Sequence, residues 1–168
     1  MILKYYVLDP TGNITILAEG NVPAEERGAV AAKLMEKEPA AEQVGFISYG
    51  QARVDRTDAG HAAGEENRGA GHADITLQMA GGEFCGNATM SAAVLAVHLG
   101  KVRDESAANR EEKGTCANRE EKGICADGEN SYNVNVLASG AEGIRRVHVE
   151  AKEDGSYMGT VDMPEPIS

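Results

Sequence analysis

The feature that most constrains this fold is an apolar segment at residues 86–99, GNATMSAAVLAVHL, which follows a glycine-rich turn and ends at Gly100. Its apolar residues recur on nearly every side of a helix, so no face of that helix is suited to meet water. Such a helix has to be enclosed by other elements, because burying apolar surface is the main favourable term in folding. We therefore predict a central helix that the rest of the chain covers.

Strand patterns dominate the rest of the chain. Residues rich in β-formers or alternating in hydropathy occur at 2–8, 13–18, 44–49, 73–79, 132–137, 145–151 and 156–162. A second helix is predicted over residues 23–37, with Pro23 at its start and Pro39 just beyond its end. The order β-β-α-β-β-α-β-β-β predicts an α+β domain, in which a mixed, curled sheet wraps around the 86–99 helix.

Two polar stretches interrupt this order. Residues 50–72 are rich in Gly, Ala and charged residues, and we interpret them mostly as a loop. Residues 103–129 contain a tandem duplication, ANREEKGTC at 108–116 and ANREEKGIC at 117–125. Two copies of so short a unit cannot build a solenoid, whereas surface loops tolerate insertions at low entropic cost. We predict an inserted polar loop within one domain that spans residues 1–168.

The composition excludes several classes of function. The formal net charge of −11 would repel the phosphates of a nucleic acid. No apolar run approaches the roughly 20 residues that a membrane-spanning helix needs, and the first residues do not read as a signal peptide. The three cysteines are an odd number, which does not fit a secreted disulfide framework. We expect a cytoplasmic protein with neither nucleic-acid nor membrane partners.

Cofactor and metal motifs are also missing from the sequence. The glycine patterns typical of dinucleotide and phosphate loops do not occur. His61 and His72 flank a glycine-rich stretch, but too few other ligands accompany them to hold a metal. His98 lies near the end of the central helix, where a packing or capping role is expected. We therefore predict no nucleotide cofactor and no metal site.

The turn that opens the central helix has the composition of a chemical site. Cys85 precedes Gly86 and Asn87 at the helix start, where backbone N–H groups lack intrahelical partners and the helix dipole is positive. These N–H groups suit an anion such as a substrate carboxylate, and the same position favours the thiolate form of a cysteine. A base beside a carboxylate clamp suits proton abstraction α to a carboxylate. A buried, inert cysteine is the alternative that local pattern leaves open.

Three segments carry a resemblance to a known family. The stretch GGEFCGNATMSAA at 81–93 resembles the first cysteine motif of the diaminopimelate epimerase superfamily, in the variant closest to its histidine racemase branch. YVLDPTGN at 6–13 is similar to the first strand of that family and the Gly-Asn that ends it. Ser139-Gly140 and VDMPEP at 161–166 resemble the end of the family's first domain. The resemblance covers nearly the whole chain apart from the 103–129 loop.

This resemblance implies a cofactor-independent racemase or epimerase that acts on an amino acid, with histidine as the favoured substrate. Cys85 would be the base or the acid on one face of the α-carbon, and Gly86 and Asn87 would bind the α-carboxylate through their backbone amides. Asn13 would hold a polar group of the substrate, although asparagine is also an ordinary turn residue. Glu83 is a weaker candidate for a second acid or base in the same turn.

The resemblance extends to the amino-terminal half of the family's proteins only. Family enzymes place a second cysteine, from a second domain, on the opposite face of the substrate, and this sequence has no second Cys-Gly motif. Cys116 and Cys125 lie in the duplicated loop and are poor substitutes. The chain is then either one part of a longer racemase or a half-length protein that pairs two copies of Cys85 in a homodimer.

Two other functions remain open. A non-catalytic binding or interaction module could keep the carboxylate-binding helix end without a second acid, and the missing second motif favours that alternative. A cysteine-independent isomerase of the same fold is disfavoured, since Cys85 occupies the position of the family's cysteine. The fold alone does not choose among these functions.

Overall fold

The computed structural model describes residues 3–53, 72–102 and 131–163. These residues form seven strands and two helices in the predicted order. The strands are β1 (Lys4–Leu8), β2 (Thr15–Glu19), β3 (Gln43–Arg53), β4 (His72–Met79), β5 (Ser131–Ala138), β6 (Ile144–Ala151) and β7 (Tyr157–Val161). The helices are α1 (Ala24–Lys37) and α2 (Gly86–His98). The predicted α+β class with a mixed sheet is confirmed.

The largest difference from the predicted elements concerns residues 50–72, which we interpreted mostly as a loop. β3 continues to Arg53 and β4 starts at His72, and these two residues are paired across the antiparallel ladder. The ladder shifts register between Tyr49 and Ala52, next to Gly50, whose φ of 128° only glycine adopts readily. Because of this irregularity and the glycine-rich composition, the end of β3 does not show the alternation of apolar and polar residues by which a strand is predicted.

Several predicted features lie outside the described residues. These are His61, the inserted loop at 103–129, its duplication at 108–125, and the two cysteines Cys116 and Cys125. Their predicted roles stay predictions.

The strands form one sheet whose spatial order, β1-β2-β3-β4-β5-β6-β7, follows the chain. The pairs β2–β3 and β4–β5 are parallel, and the other four are antiparallel. Each parallel pair is separated in sequence by a helix, because a parallel connection has to return the chain to the end where it began. α1 and α2 are these two crossover helices.

The helices pack on opposite faces of the sheet. Side chains alternate across a strand, so Ile16 and Phe46 join α1 in one buried cluster. Leu17 and Ile47, their neighbours in sequence, join α2 in the other cluster. The α2 cluster also includes fully buried residues from the second half of the sheet, namely Val134, Val136, Val147 and Val149. α2 therefore lies in the main core.

The sheet curls around α2. The helix runs antiparallel to β7 and the residues just after it. Gly86 faces Met163, Met90 faces Gly159 and His98 packs edge-on against Tyr157. α2 also contacts β2, which lies five strand spacings from β7 in the sheet order. In a flat sheet five spacings measure about 24 Å, more than twice the ~10 Å diameter of a helix. Both strands reach one helix only because the sheet bends, as predicted.

One end of the sheet collects the segments that matter for function. The ladder pairs put the last residues of β1, β4, β5 and β7 at the same end as the first residues of β2, β3 and β6. α2 begins at this end, because it follows β4 directly. The first residues of α2 are therefore close to the connections that follow β1, α1 and β5.

Candidate functional site

Cys85 caps the N-terminus of α2. Its backbone is extended, with φ −130° and ψ 113°, which is the usual conformation of a cap residue. The Ala88 N–H donates to the Cys85 sulfur at 3.5 Å. The Cys85 carbonyl accepts from the N–H and the hydroxyl of Thr89, at 2.9 and 2.8 Å. The half-buried thiol is thereby fixed at the positive end of a buried helix.

The first two N–H groups of α2 belong to Gly86 and Asn87. Within the described part of the chain, neither N–H donates to a protein acceptor, whereas the next two are used by the Cys85 sulfur and carbonyl. Both residues are only partly buried. The geometry leaves two donors beside the thiol that can bind an anionic group.

A chain of polar side chains connects Cys85 to Asn13. The Cys85 thiol lies 3.0 Å from Gln43 Oε1. The Gln43 Nε2 group donates to Asn13 Oδ1 at 2.6 Å and to Thr15 Oγ1 at 2.7 Å. Asn13 Nδ2 in turn donates to Glu42 Oε2 at 3.0 Å. The structure thus brings two of the predicted site residues, Cys85 and Asn13, into one network.

Gln43 and Thr15 were not singled out from the sequence. They are the first residues of two parallel strands and are paired with each other in the ladder. A signal for them exists, because the predicted β-α-β unit over residues 13–49 places the starts of its two strands side by side. Polar residues near the starts of both strands, here Thr15 and Gln43, would then have been predicted to lie close to Asn13.

The turn before Cys85 is held by the residues that follow β5. The Ser139 hydroxyl accepts from the Met79 N–H at 2.9 Å and donates to the Glu83 carbonyl at 3.0 Å. Gly140 has φ +69°, and a side chain there would meet the backbone N of Phe84. The Glu83 carboxylate is exposed and lies over Gly81. Its proposed acid or base role stays a prediction.

We expect Thr89→Val to lower the free energy of unfolding by about 1 kcal/mol, the usual value of one hydrogen bond. Thr89 is fully buried and its hydroxyl donates to the Cys85 carbonyl, while valine keeps the shape of the side chain. The exposed Thr160→Val is the matched control and should change stability little. Chemical denaturation measures both, and equal losses would contradict a capping role for the hydroxyl.

A second polar cluster lies at the opposite end of the sheet. The Tyr6 hydroxyl donates to Glu19 Oε2 at 3.2 Å, and Lys4 Nζ lies 4.0 Å from the same oxygen. Burial, with a smaller contribution from the charge of Glu19, raises the pKa of Tyr49 to about 12. A phenol with that pKa stays protonated at neutral pH, so Tyr49 cannot act as a base there.

Among the described residues, no cluster of three or more His, Cys, Asp or Glu side chains is arranged to hold a metal ion. Neither helix that the structure describes has the length and apolar character needed to cross a membrane.

Fold and site together define an α+β domain in which a cysteine caps a helix enclosed by a curled sheet. The model of the histidine racemase CntK N-terminal domain matches residues 2–168, and the chain belongs to that family. It is also similar to a histidine racemase of Staphylococcus aureus strain Mu50, with 36% identity over 91 residues. This alignment covers 54% of the chain but 27% of the length of the relative. The resemblance to the amino-terminal half of a histidine racemase is therefore confirmed.

Proposed function

We propose that this chain is the amino-terminal domain of a cofactor-independent amino-acid racemase, with the fold of the diaminopimelate epimerase superfamily and histidine as its substrate. Cys85 exchanges a proton with the α-carbon of the substrate on one face. The family membership supports the racemase class, and the alignment with part of a histidine racemase supports the substrate. A cytoplasmic location and independence of cofactors belong to the same proposal.

One observation carries this proposal: the Cys85 sulfur is adjacent to the N–H groups of Gly86 and Asn87 at the start of α2, which donate to no acceptor among the described residues. Removing the α-proton of an amino acid moves negative charge onto its carboxylate. Donors fixed at that carboxylate stabilise the charge as it develops, and the thiol beside them has the α-carbon within reach. Asn13, at the same end of the sheet, would contact a polar group of the substrate.

Racemisation needs a second acid or base on the other face of the α-carbon. We propose that it comes from a second domain of a longer protein or from a second copy of this chain. A homodimer would place two Cys85 thiols across a two-fold axis, as isologous interfaces do. The alternative is a binding module that uses the helix end without turnover.

The test is exchange of the α-proton for deuterium in heavy water, followed by mass spectrometry or nuclear magnetic resonance. A panel of L-amino acids that includes histidine, aspartate and lysine is incubated with the purified protein. We expect deuterium at the α-carbon of histidine and far less in the other amino acids, with loss of exchange after thiol alkylation. Histidine binding without exchange in a folded sample would favour either the binding module or a site that needs its second domain. A folded sample that shows no histidine binding and no exchange would refute the proposal.

A further inference from the structure

In the hydrogen-bond network that ends at Cys85, the donor and the acceptor of each hydrogen bond can be assigned. A carboxylate only accepts hydrogen bonds, so the Asn13 group that faces Glu42 is its NH₂, and the Asn13 oxygen faces Gln43. That oxygen also only accepts, and therefore the Gln43 group facing it is the NH₂. The remaining Gln43 atom, its oxygen, is then the one 3.0 Å from the Cys85 sulfur.

Thr15 fixes the same orientation of Gln43 independently. Its side chain is fully buried, and its hydroxyl donates to the Asn13 main-chain carbonyl at 3.1 Å. With its single proton engaged, Thr15 Oγ1 can only accept from Gln43 Nε2, which lies 2.7 Å away. Two separate anchors therefore aim the Gln43 oxygen at the sulfur.

An amide oxygen has no proton to give, so a hydrogen bond between it and the sulfur requires an S–H group. We infer that Gln43 holds a proton on Cys85, so that Cys85 in the free protein is a thiol ready to donate rather than a thiolate ready to accept. The opposing influence is the α2 N-terminus, whose Ala88 N–H points at the same sulfur and suits a thiolate. Gln43 is in this sense a positioning residue.

The consequence for the reaction rests on the proposed function. With Cys85 protonated, the first proton is taken from the substrate by a thiolate or carboxylate that a second domain places on the opposite face, because the Cys85 of a second copy would be held as a thiol by its own Gln43. The carbanion electron pair then forms the new C–H bond as the Cys85 S–H bond breaks, and Cys85 is left as the thiolate. The α2 N-terminus stabilises that product, and the next turnover in the reverse direction starts from it.

The test reads the thiol in the free protein. In a Cys116→Ser, Cys125→Ser background, Cys85 is the one cysteine of the chain. The ultraviolet absorbance of its thiolate and its rate of alkylation by iodoacetamide are measured at neutral pH. Gln43→Met keeps the length of the side chain and removes the acceptor, and we expect the thiolate fraction and the alkylation rate to rise about fivefold, the equilibrium change for one ordinary hydrogen bond.

A control and a second variant keep this result interpretable. Gln78→Met makes the same replacement on β4, away from the network, and should leave the thiolate absorbance unchanged. Thr15→Val removes one of the two hydrogen-bond partners of the Gln43 NH₂ group without changing the shape of the side chain, and we expect a smaller rise in the thiolate fraction. Thr15→Ser keeps the hydroxyl and should show no rise. If Gln43→Met does not fold, Thr15→Val decides the question.

The proton assignment is overturned if the folded Gln43→Met and Thr15→Val variants show the same thiolate absorbance as the background. It is also overturned if Cys85 in the background is already fully a thiolate at neutral pH. Because no substrate is used, failure of α-proton exchange would refute the proposed function without affecting this result. An unchanged thiolate fraction together with active exchange would refute the inference alone.

Discussion

Cys85→Ser is expected to reduce α-deuterium exchange by a factor of about 10²–10⁴, the usual contribution of a positioned general acid or base. Serine keeps a side-chain oxygen that can accept the Ala88 N–H, so the cap of α2 persists. A hydroxyl gives up and takes a proton at neutral pH far less readily than a thiol does. The substitution therefore separates the chemistry of the sulfur from its structural contribution.

The controls for this variant are the other two cysteines. Cys116→Ser and Cys125→Ser lie in the duplicated loop of the sequence, and exchange should remain close to that of the unaltered chain in both. Histidine binding should persist in Cys85→Ser, because the N–H groups of Gly86 and Asn87 remain. Exchange that survives in Cys85→Ser and is lost in either loop variant would move the reacting thiol to the loop.

Gly140→Ala is expected to lower the free energy of unfolding by about 2–5 kcal/mol, from a left-handed backbone conformation and from overpacking. Its φ is +69°, which costs an alanine strain energy. The new methyl would also meet the backbone N of Phe84 and the carbonyl carbon of Glu83, neither of which can move without displacing the turn. That turn leads directly into Cys85, so exchange should fall as well.

Gly143→Ala is the matched control, because the chain offers a second glycine with nearly the same backbone. Gly143 has φ +70° and nothing within 4 Å of the position of a Cβ atom. It should lose only the conformational part, about 1–2 kcal/mol. Denaturant melts of both variants give the comparison. If their losses are equal, the close approach of Gly140 to the 83–84 backbone contributes nothing.

The elements were predictable because their signals are local. The apolar 86–99 segment, the proline at the start of α1 and the alternation in the strands are each read within a few residues. The curl of the sheet also followed from sequence, since a helix without a polar face has to be surrounded. The extension of β3 beyond residue 49 to Arg53 was not predicted, because glycine and alanine after residue 49 mask the alternation.

The site was predictable only in part, for a related reason. Cys85 and the amides after it belong to one turn, so the pattern contains them together. Gln43 lies 42 positions from Cys85 in the chain, and its contact depends on which strands pair and in which register. The approach of Gly140 to the turn before Cys85 likewise depends on the β4–β5 pairing. The contacts of Gln43 and Gly140 with the segment around Cys85 are therefore set by strand pairing, which local sequence patterns do not specify.

The sheet order, which follows the chain from β1 to β7, has a consequence for folding during synthesis on the ribosome. Each strand pairs with the strand made just before it, so the sheet can grow as the chain emerges, with the amino-terminal part folding first. Asn13, Thr15 and Gln43 belong to the first three strands and their connections. All three precede Cys85 in the chain, so the strands that carry them can pair before β4 and the turn that contains Cys85 join the sheet.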